Sequence, residues 1–113
     1  MKILMVSSGS KALTDMIVAV EAVFPGAEQA RFLDPLLAIK HNLSWHADTV
    51  ICDFSLRIID GIQLIQMLRK QNRDILPILI ASAKEPCRDA DNLGILHVAQ
   101  ADAQTLKAIM EQG

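Results

Sequence analysis

The residue best placed to do chemistry is Asp53. It closes the apolar run Val50-Ile51-Cys52, and open α/β sheets present their working residues at the carboxyl ends of buried strands. Seven residues later Asp60-Gly61 opens a helix-like stretch from Gly61 to Arg69. A second group stands near the amino terminus, where Ser7-Ser8-Gly9-Ser10-Lys11 follows a β-prone run and leads into a helix. Small residues at a helix N-terminus offer amide and hydroxyl donors to an anion, although neither GxxxxGK[ST] nor GxGxxG is present. His41, His46 and Asp48 span a helix end and a loop rather than an i, i+4 face, so they read as solvated loop residues and not as metal ligands. Cys52 and Cys87 have no CxxC spacing and imply neither a zinc site nor a disulfide framework.

The elements that must position these groups follow from period and punctuation. Residues 2–6 form a short strand stopped by the serines and Gly9. Leu13, Met16, Ile17, Val20 and Val23 recur at helical spacing until Pro25-Gly26 forces a turn. Residues 27–33 suit an edge strand, and Asp34-Pro35 starts a second helix running to about Asn42. Residues 49–53 are too uniformly apolar for a sheet with one wet face, which predicts a parallel strand covered on both sides. Asp60 then caps a third helix with Ile62, Ile65 and Leu68 on its inner face, and Arg69, Lys70 and Arg73 complement its dipole. Residues 77–81 and 94–99 make strands four and five, and a last helix starts near Asp102. Eleven residues separate Ser82 from Gly94, with Pro86, Asp89 and Asp91 among them, so the fourth helix is expected to be shortened or missing.

Alternating strands and helices predict a flavodoxin-like three-layer α/β/α sandwich with a five-stranded parallel sheet in the order 2-1-3-4-5. In that order strands one and three are neighbours, so Ser7, Ser8 and Asp53 should line one pocket at the switch point, with Ser55 counted to the same pocket. The 113 residues, 51% of them hydrophobic, are enough for one core and are expected to form a single domain, 1–113. A formal charge of -2, from 11 basic and 13 acidic side chains, gives no field toward nucleic acid or an anionic membrane. No apolar run approaches the roughly 20 residues of a bilayer span, and Met1-Lys2-Ile3-Leu4 enters strand-like sequence at once, so no signal peptide is expected. A cytoplasmic location is the expectation.

The segment from Asp53 to Asp60-Gly61 resembles the phospho-acceptor region of bacterial two-component response-regulator receiver domains, and the likeness extends from Lys2 to about Gln112. Ser82-Ala83 resembles the hydroxyl-small pair of that family. The resemblance implies a phosphorelay signalling module that is not itself an enzyme. In it Asp53 would take a phosphoryl group from a sensor histidine kinase, and Ser82 would turn to hydrogen-bond that group.

The departures from the family pattern shape the expectation further. Where receivers end strand one with two acidic residues that hold Mg²⁺, this chain has Ser7 and Ser8. A hard cation that dehydrates reluctantly is held through one or two carboxylates, so Mg²⁺ binding at Asp53 is expected to be weak, with no other cofactor. Ala99 stands at the family Lys of strand five, followed by Gln100. Lys84, just past strand four, can in principle swing toward the pocket, although such a side chain ordinarily stays solvated. Leu96 or His97 occupies the region of the aromatic switch, and the chain has no Tyr. Phosphoryl transfer depends on positioning and on neutralising charge, so these losses describe a pseudo-receiver that works by contact with another signalling protein or with itself as a homodimer. For Asp53 two roles stand open: acceptor, or loop carboxylate receiving backbone amide bonds. The second functional class is a small phosphometabolite- or FMN-binding flavodoxin-like domain using the Ser7 to Lys11 loop, with Phe24, Phe32, Phe54 and Trp45 as the only rings to stack on an isoalloxazine. His97, alternating with Leu96 and Val98, reads as a hydrogen-bonded structural residue.

Overall fold

The computed structural model describes residues 1–112; Gly113, the last residue of the expected domain, lies outside them. Five strands form one parallel sheet in the order β2-β1-β3-β4-β5. In chain order the elements are β1 (Lys2–Val6), α1 (Ser10–Val23), β2 (Glu28–Phe32), α2 (Pro35–Trp45), β3 (Thr49–Asp53), α3 (Gly61–Gln71), β4 (Leu76–Ile80), α4 (Lys84–Asn92), β5 (Leu96–Val98) and α5 (Ala103–Gln112). This is the flavodoxin-like architecture expected from the alternation of elements. Among the described residues no helix is long and apolar enough to cross a membrane.

The uniform apolarity of the central strands has a direct structural cause. Successive side chains point to opposite faces, and both faces are covered. Leu4, Val6, Val50, Cys52 and Leu79 pack with Ala38 of α2, Leu64, Ile65 and Leu68 of α3, and Ala90 of α4. Ile3, Met5, Ile51, Ile78 and Val98 pack with Met16, Ala19 and Val20 of α1 and Leu106 of α5. The two edge strands differ, since β2 has no buried residue and β5 is three residues long, as befits strands whose outer ladder faces solvent. Pro77 lies inside β4 because Leu76 donates to Asp48 O on the β3 side at 2.9 Å. By alternation the nitrogen of Pro77 faces the other side, before the β4–β5 pairing begins at Ile78.

Boundaries depart from expectation at α2 and at β5. Helix α2 continues three residues past Asn42 and ends only at His46, which takes the left-handed conformation at φ 52°. Asn42 does not stop the helix because its side chain is occupied elsewhere. Fully buried, its Nδ2 donates to Gln71 Oε1 at 2.7 Å and to Asn72 Oδ1 at 3.0 Å, and its Oδ1 accepts from Ala47 N at 2.7 Å. Gln71 Nε2 donates in turn to Ile39 O, and Asn72 Nδ2 to Ala47 O. The second departure is at β5, where Gly94 turns at φ 67° and Ile95 N donates back to Ala90 O, so the strand starts at Leu96. The fourth helix is present and, at nine residues, the shortest of the five, which is the shortened form of the expectation. Pro86 is its third residue, within the first turn, where a missing N–H breaks no intrahelical bond.

Candidate functional site

Asp53 is the last residue of β3, paired with Ile80 of β4 and one step beyond the pairing of Cys52 with Val6 of β1. The register therefore carries the chain of β1 directly from Val6 to Ser7 beside the acid. Ser7 is fully buried, and its hydroxyl donates to Asp53 Oδ2 at 2.5 Å. A hydroxyl has one proton, so with the carboxylate taking it the Ser7 oxygen remains free to accept from Gly9 N at 3.3 Å. The amide of Gly9 is thus turned onto Ser7 within the loop that joins β1 to α1.

Helix α3 comes in over Asp53 from the other side of the loop. Its first turn is held by a reciprocal cap: Gln63 N donates to Asp60 Oδ1 at 2.8 Å and Asp60 N donates to Gln63 Oε1 at 2.9 Å. Gly61 N donates to Phe54 O at 2.8 Å. A Cβ at Gly61 would overlap the backbone oxygen of Asp53 and stand 2.7 Å from Leu79 Cδ1. The Asp-Gly pair therefore has two separate tasks. Asp60 starts the helix, and Gly61 lets it lie against the backbone of the acid.

A cavity of about 290 Å³ opens at this end of the sheet, lined by Ser8, Asp53, Ser55, Ser82 and Ala99 together with Phe54, Ile80, Ala81, Ala83 and Pro86. Four of the residues marked out by sequence, Ser8, Asp53, Ser55 and Ser82, meet there, and Ser7 joins them through its bond to the acid. Lys84 does not line the cavity. It is the first residue of α4 and is exposed, because the helix begins there and leaves the side chain in solvent. Ala99, at the family Lys position, lines the wall as that alignment implies, and Ala81 and Pro86 complete it through tertiary packing alone.

Asp53 is the one charged residue in this lining. Desolvation by burial raises its pKa above the ordinary carboxylate value, and the Ser7 hydrogen bond lowers it by less. No cation contributes. Among the described residues no backbone amide donates to the Asp53 carboxylate, and no Lys or Arg stands within salt-bridge distance of it. The loop-carboxylate role, which requires amide donors, therefore lacks them. Burial also pushes the Cys52 thiol far up, helped by the charges of Asp53 and Asp60, so that side chain is an inert member of the core.

The donor set does not fit a resident Mg²⁺. A hard dication needs carboxylate charge to offset its dehydration, and the cavity offers one carboxylate among neutral hydroxyls; Asp60, the nearest acid in the loop, is committed to capping α3. Among the described residues no group of three His, Cys, Asp or Glu is placed to hold a metal ion. His41 packs between Phe32 and Trp45, with ring centroids 5.3 and 5.2 Å away, and His46 ends α2. His97 Nε2 lies 2.9 Å from Asp91 Oδ1 of α4, a hydrogen-bonded structural histidine. For a flavin the aromatic residues are poorly placed: Phe54 alone lines the cavity, while Phe24, Phe32 and Trp45 pack against the two cores.

No family model matches the chain, and no curated protein does. Solved structures do. The chain is similar to the chemotaxis response regulator CheY4 of Vibrio cholerae, with 16% identity over 98% of this chain and 96% of that one at a TM-score of 0.78. It is similar to a response regulator receiver domain protein from Clostridium thermocellum, with 18% identity, 98% and 91% coverage and a TM-score of 0.80. An uncharacterized protein from Neptuniibacter caesariensis gives a TM-score of 0.84 at 18% identity, covering 98% of this chain and 84% of that one. Strand order, helix count and these superpositions agree that the chain has the CheY-like, flavodoxin-like fold of response-regulator receiver domains.

Proposed function

We propose that this chain is a receiver-like module of two-component signalling that acts through contact with another protein, a sensor histidine kinase or a further signalling partner, and that Mg²⁺-dependent phosphorylation of Asp53 is weak or absent. The observation that carries the reading is the setting of the acid: its carboxylate is bonded to the neutral Ser7 hydroxyl, and no other charge lines the cavity. Transfer of a phosphoryl group to Asp53 Oδ would bring two anions together, and without a metal or a lysine no group offsets their charge. Ser8, Ser55 and Ser82 offer hydrogen bonds to a phosphoryl oxygen but no net charge. Asp53 is therefore retained as the acceptor-like residue, Ser82 as the switch hydroxyl, and neither as part of an enzyme active site.

Acetyl phosphate with Mg²⁺, followed by intact-mass measurement, tests this. Little or no adduct is expected over a time in which a receiver with a full acidic pair is stoichiometrically modified. Rapid, complete addition at Asp53 would defeat the reading. A Mg²⁺ titration is an independent check, since tight binding would require a second carboxylate ligand that the cavity lining lacks.

A further inference from the structure

An ionised carboxylate offers about four acceptor positions, and on Asp53 the Ser7 hydroxyl fills one of them. The group is half-buried, its ionisation is opposed by desolvation, and no positive charge faces it. The space beside it, about 290 Å³, lies at the lower end of the range for small-molecule sites, enough for a side chain and small for a nucleotide. Its walls combine hydroxyls from Ser8, Ser55 and Ser82 with methyl groups from Ala81, Ala83 and Ala99. An anion entering this space meets the charge of Asp53. A neutral polyol satisfies the hydroxyls and leaves the carboxylate uncompensated. A cation on an alkyl stem satisfies the whole lining, with its N–H donors on Asp53 and the serine oxygens and its methylenes on the alanines.

We propose that the cavity receives a lysine or arginine side chain of a partner protein, with the cationic head on Asp53. Because the occupant is a protein, the inference rests on the functional reading above. A protein, rather than a free amine, is favoured by the loop that carries Ser55 out of the cavity. That loop holds Ile58 at φ 71°, a conformation a β-branched residue rarely adopts, with 78% of the residue exposed. An outward apolar side chain three residues along the chain from Ser55 of the lining offers a flanking contact that a protein surface can cover. A lone exposed ion pair contributes too little to hold a partner without such contact.

The test is a titration of the ¹⁵N-labelled chain with N-acetyl-arginine amide and N-acetyl-lysine amide, using N-acetyl-glutamine amide as the neutral control. Saturable amide shifts are expected at Phe54, Ser55, Ser82 and Ala99, with binding at least tenfold weaker for the glutamine probe and for Asp53→Asn. In Ala99→Lys a tethered cation should abolish probe binding and raise Tm, and the rise should vanish in the background of Asp53→Asn. If Ala99→Lys disturbs folding, Asp53→Asn, which keeps the shape of the acid, still reports the charge. Equal binding to wild type and Asp53→Asn would overturn the proposal, as would inorganic phosphate shifting the same amides more strongly than the cations. Spermidine binding tenfold more tightly than either capped residue would replace the partner side chain with a free polyamine. Rapid phosphorylation by acetyl phosphate would remove the functional reading and the partner with it, whereas a failed titration beside slow phosphorylation removes the cavity's occupant alone.

Discussion

The amino and carboxyl ends of the central strands handle polar groups in opposite ways. At the amino ends of β3 and β4, three neutral amides, Asn42, Gln71 and Asn72, exchange hydrogen bonds with one another and with the backbone of Ile39 and Ala47. Each group there has a partner inside the chain, and the network ties the end of α2 to the end of α3. At the carboxyl ends, Asp53 is charged, half-buried and bonded to Ser7, with an open cavity beside it. Buried polar groups with complete partners rigidify a structure, whereas a partly satisfied group leaves hydrogen-bonding positions open at an energetic cost. The contrast separates the part of the molecule that holds the helices from the part that carries the open cavity.

The largest expected effect is at the amide end. Asn42→Ala leaves Ala47 N–H without its acceptor and two side-chain carbonyls without their donor, and should cost about 3 kcal/mol in urea unfolding with an unchanged m-value. A loss under about 1 kcal/mol would mean that water replaces the network, and the contrast between the two ends would collapse. Gly61→Ala comes next. The added Cβ meets backbone and not a flexible side-chain tip, so helix α3 must shift from Asp53 at a cost of about 1–3 kcal/mol, partly offset by the better helix propensity of Ala. Amide shifts at Asp53 and Phe54 should accompany the loss; their absence would show that α3 does not position the acid.

The smallest effect has the opposite sign. Because the folded pKa of Asp53 is raised, the native state binds more protons than the unfolded chain between the ordinary carboxylate pKa, about 4, and the raised value. Stability therefore falls as pH rises through that window, and the penalty is fully present above it. Asp53→Asn keeps an acceptor for Ser7 and should raise Tm by about 2–5 °C at pH 7, with the gain lost below about pH 4. A variant less stable than wild type at neutral pH would mean that the carboxylate stabilises the fold, and that the carboxyl end resembles the amino end after all.

Much of this organisation is legible without coordinates. β1 and β3 have the bounds read from their apolar runs, Asp34-Pro35 and Asp60 start the helices they announce, and the neighbourhood of β1 and β3 brings Ser7 to Asp53. The amide network was missed, although Asn42 shares the buried face of α2 with Pro35 and Ala38 at helical spacing, a position where a polar side chain must find partners. Lys84, close enough in sequence to swing toward the pocket, stands at the start of α4 and stays in solvent, as a long side chain there ordinarily does. Ala99 was marked by the family Lys position it occupies, whereas Ala81 and Pro86 gave no signal as wall residues because they carry no chemistry, only shape.

Local composition by itself determined which segments become strands and helices, since period, caps and prolines act within a few residues, and the parallel order followed from the alternation of strands with helices and the doubly covered run at 49–53. It also determined which charges stand near the acid in the chain. What only the tertiary structure decided is how that acid is surrounded. Burial, the bond from Ser7, the fit of α3 at Gly61 and the open space under Ala99 arise where four strands and two helices converge, and the electrostatic state of a carboxylate depends on the groups around it in space rather than on its neighbours along the chain.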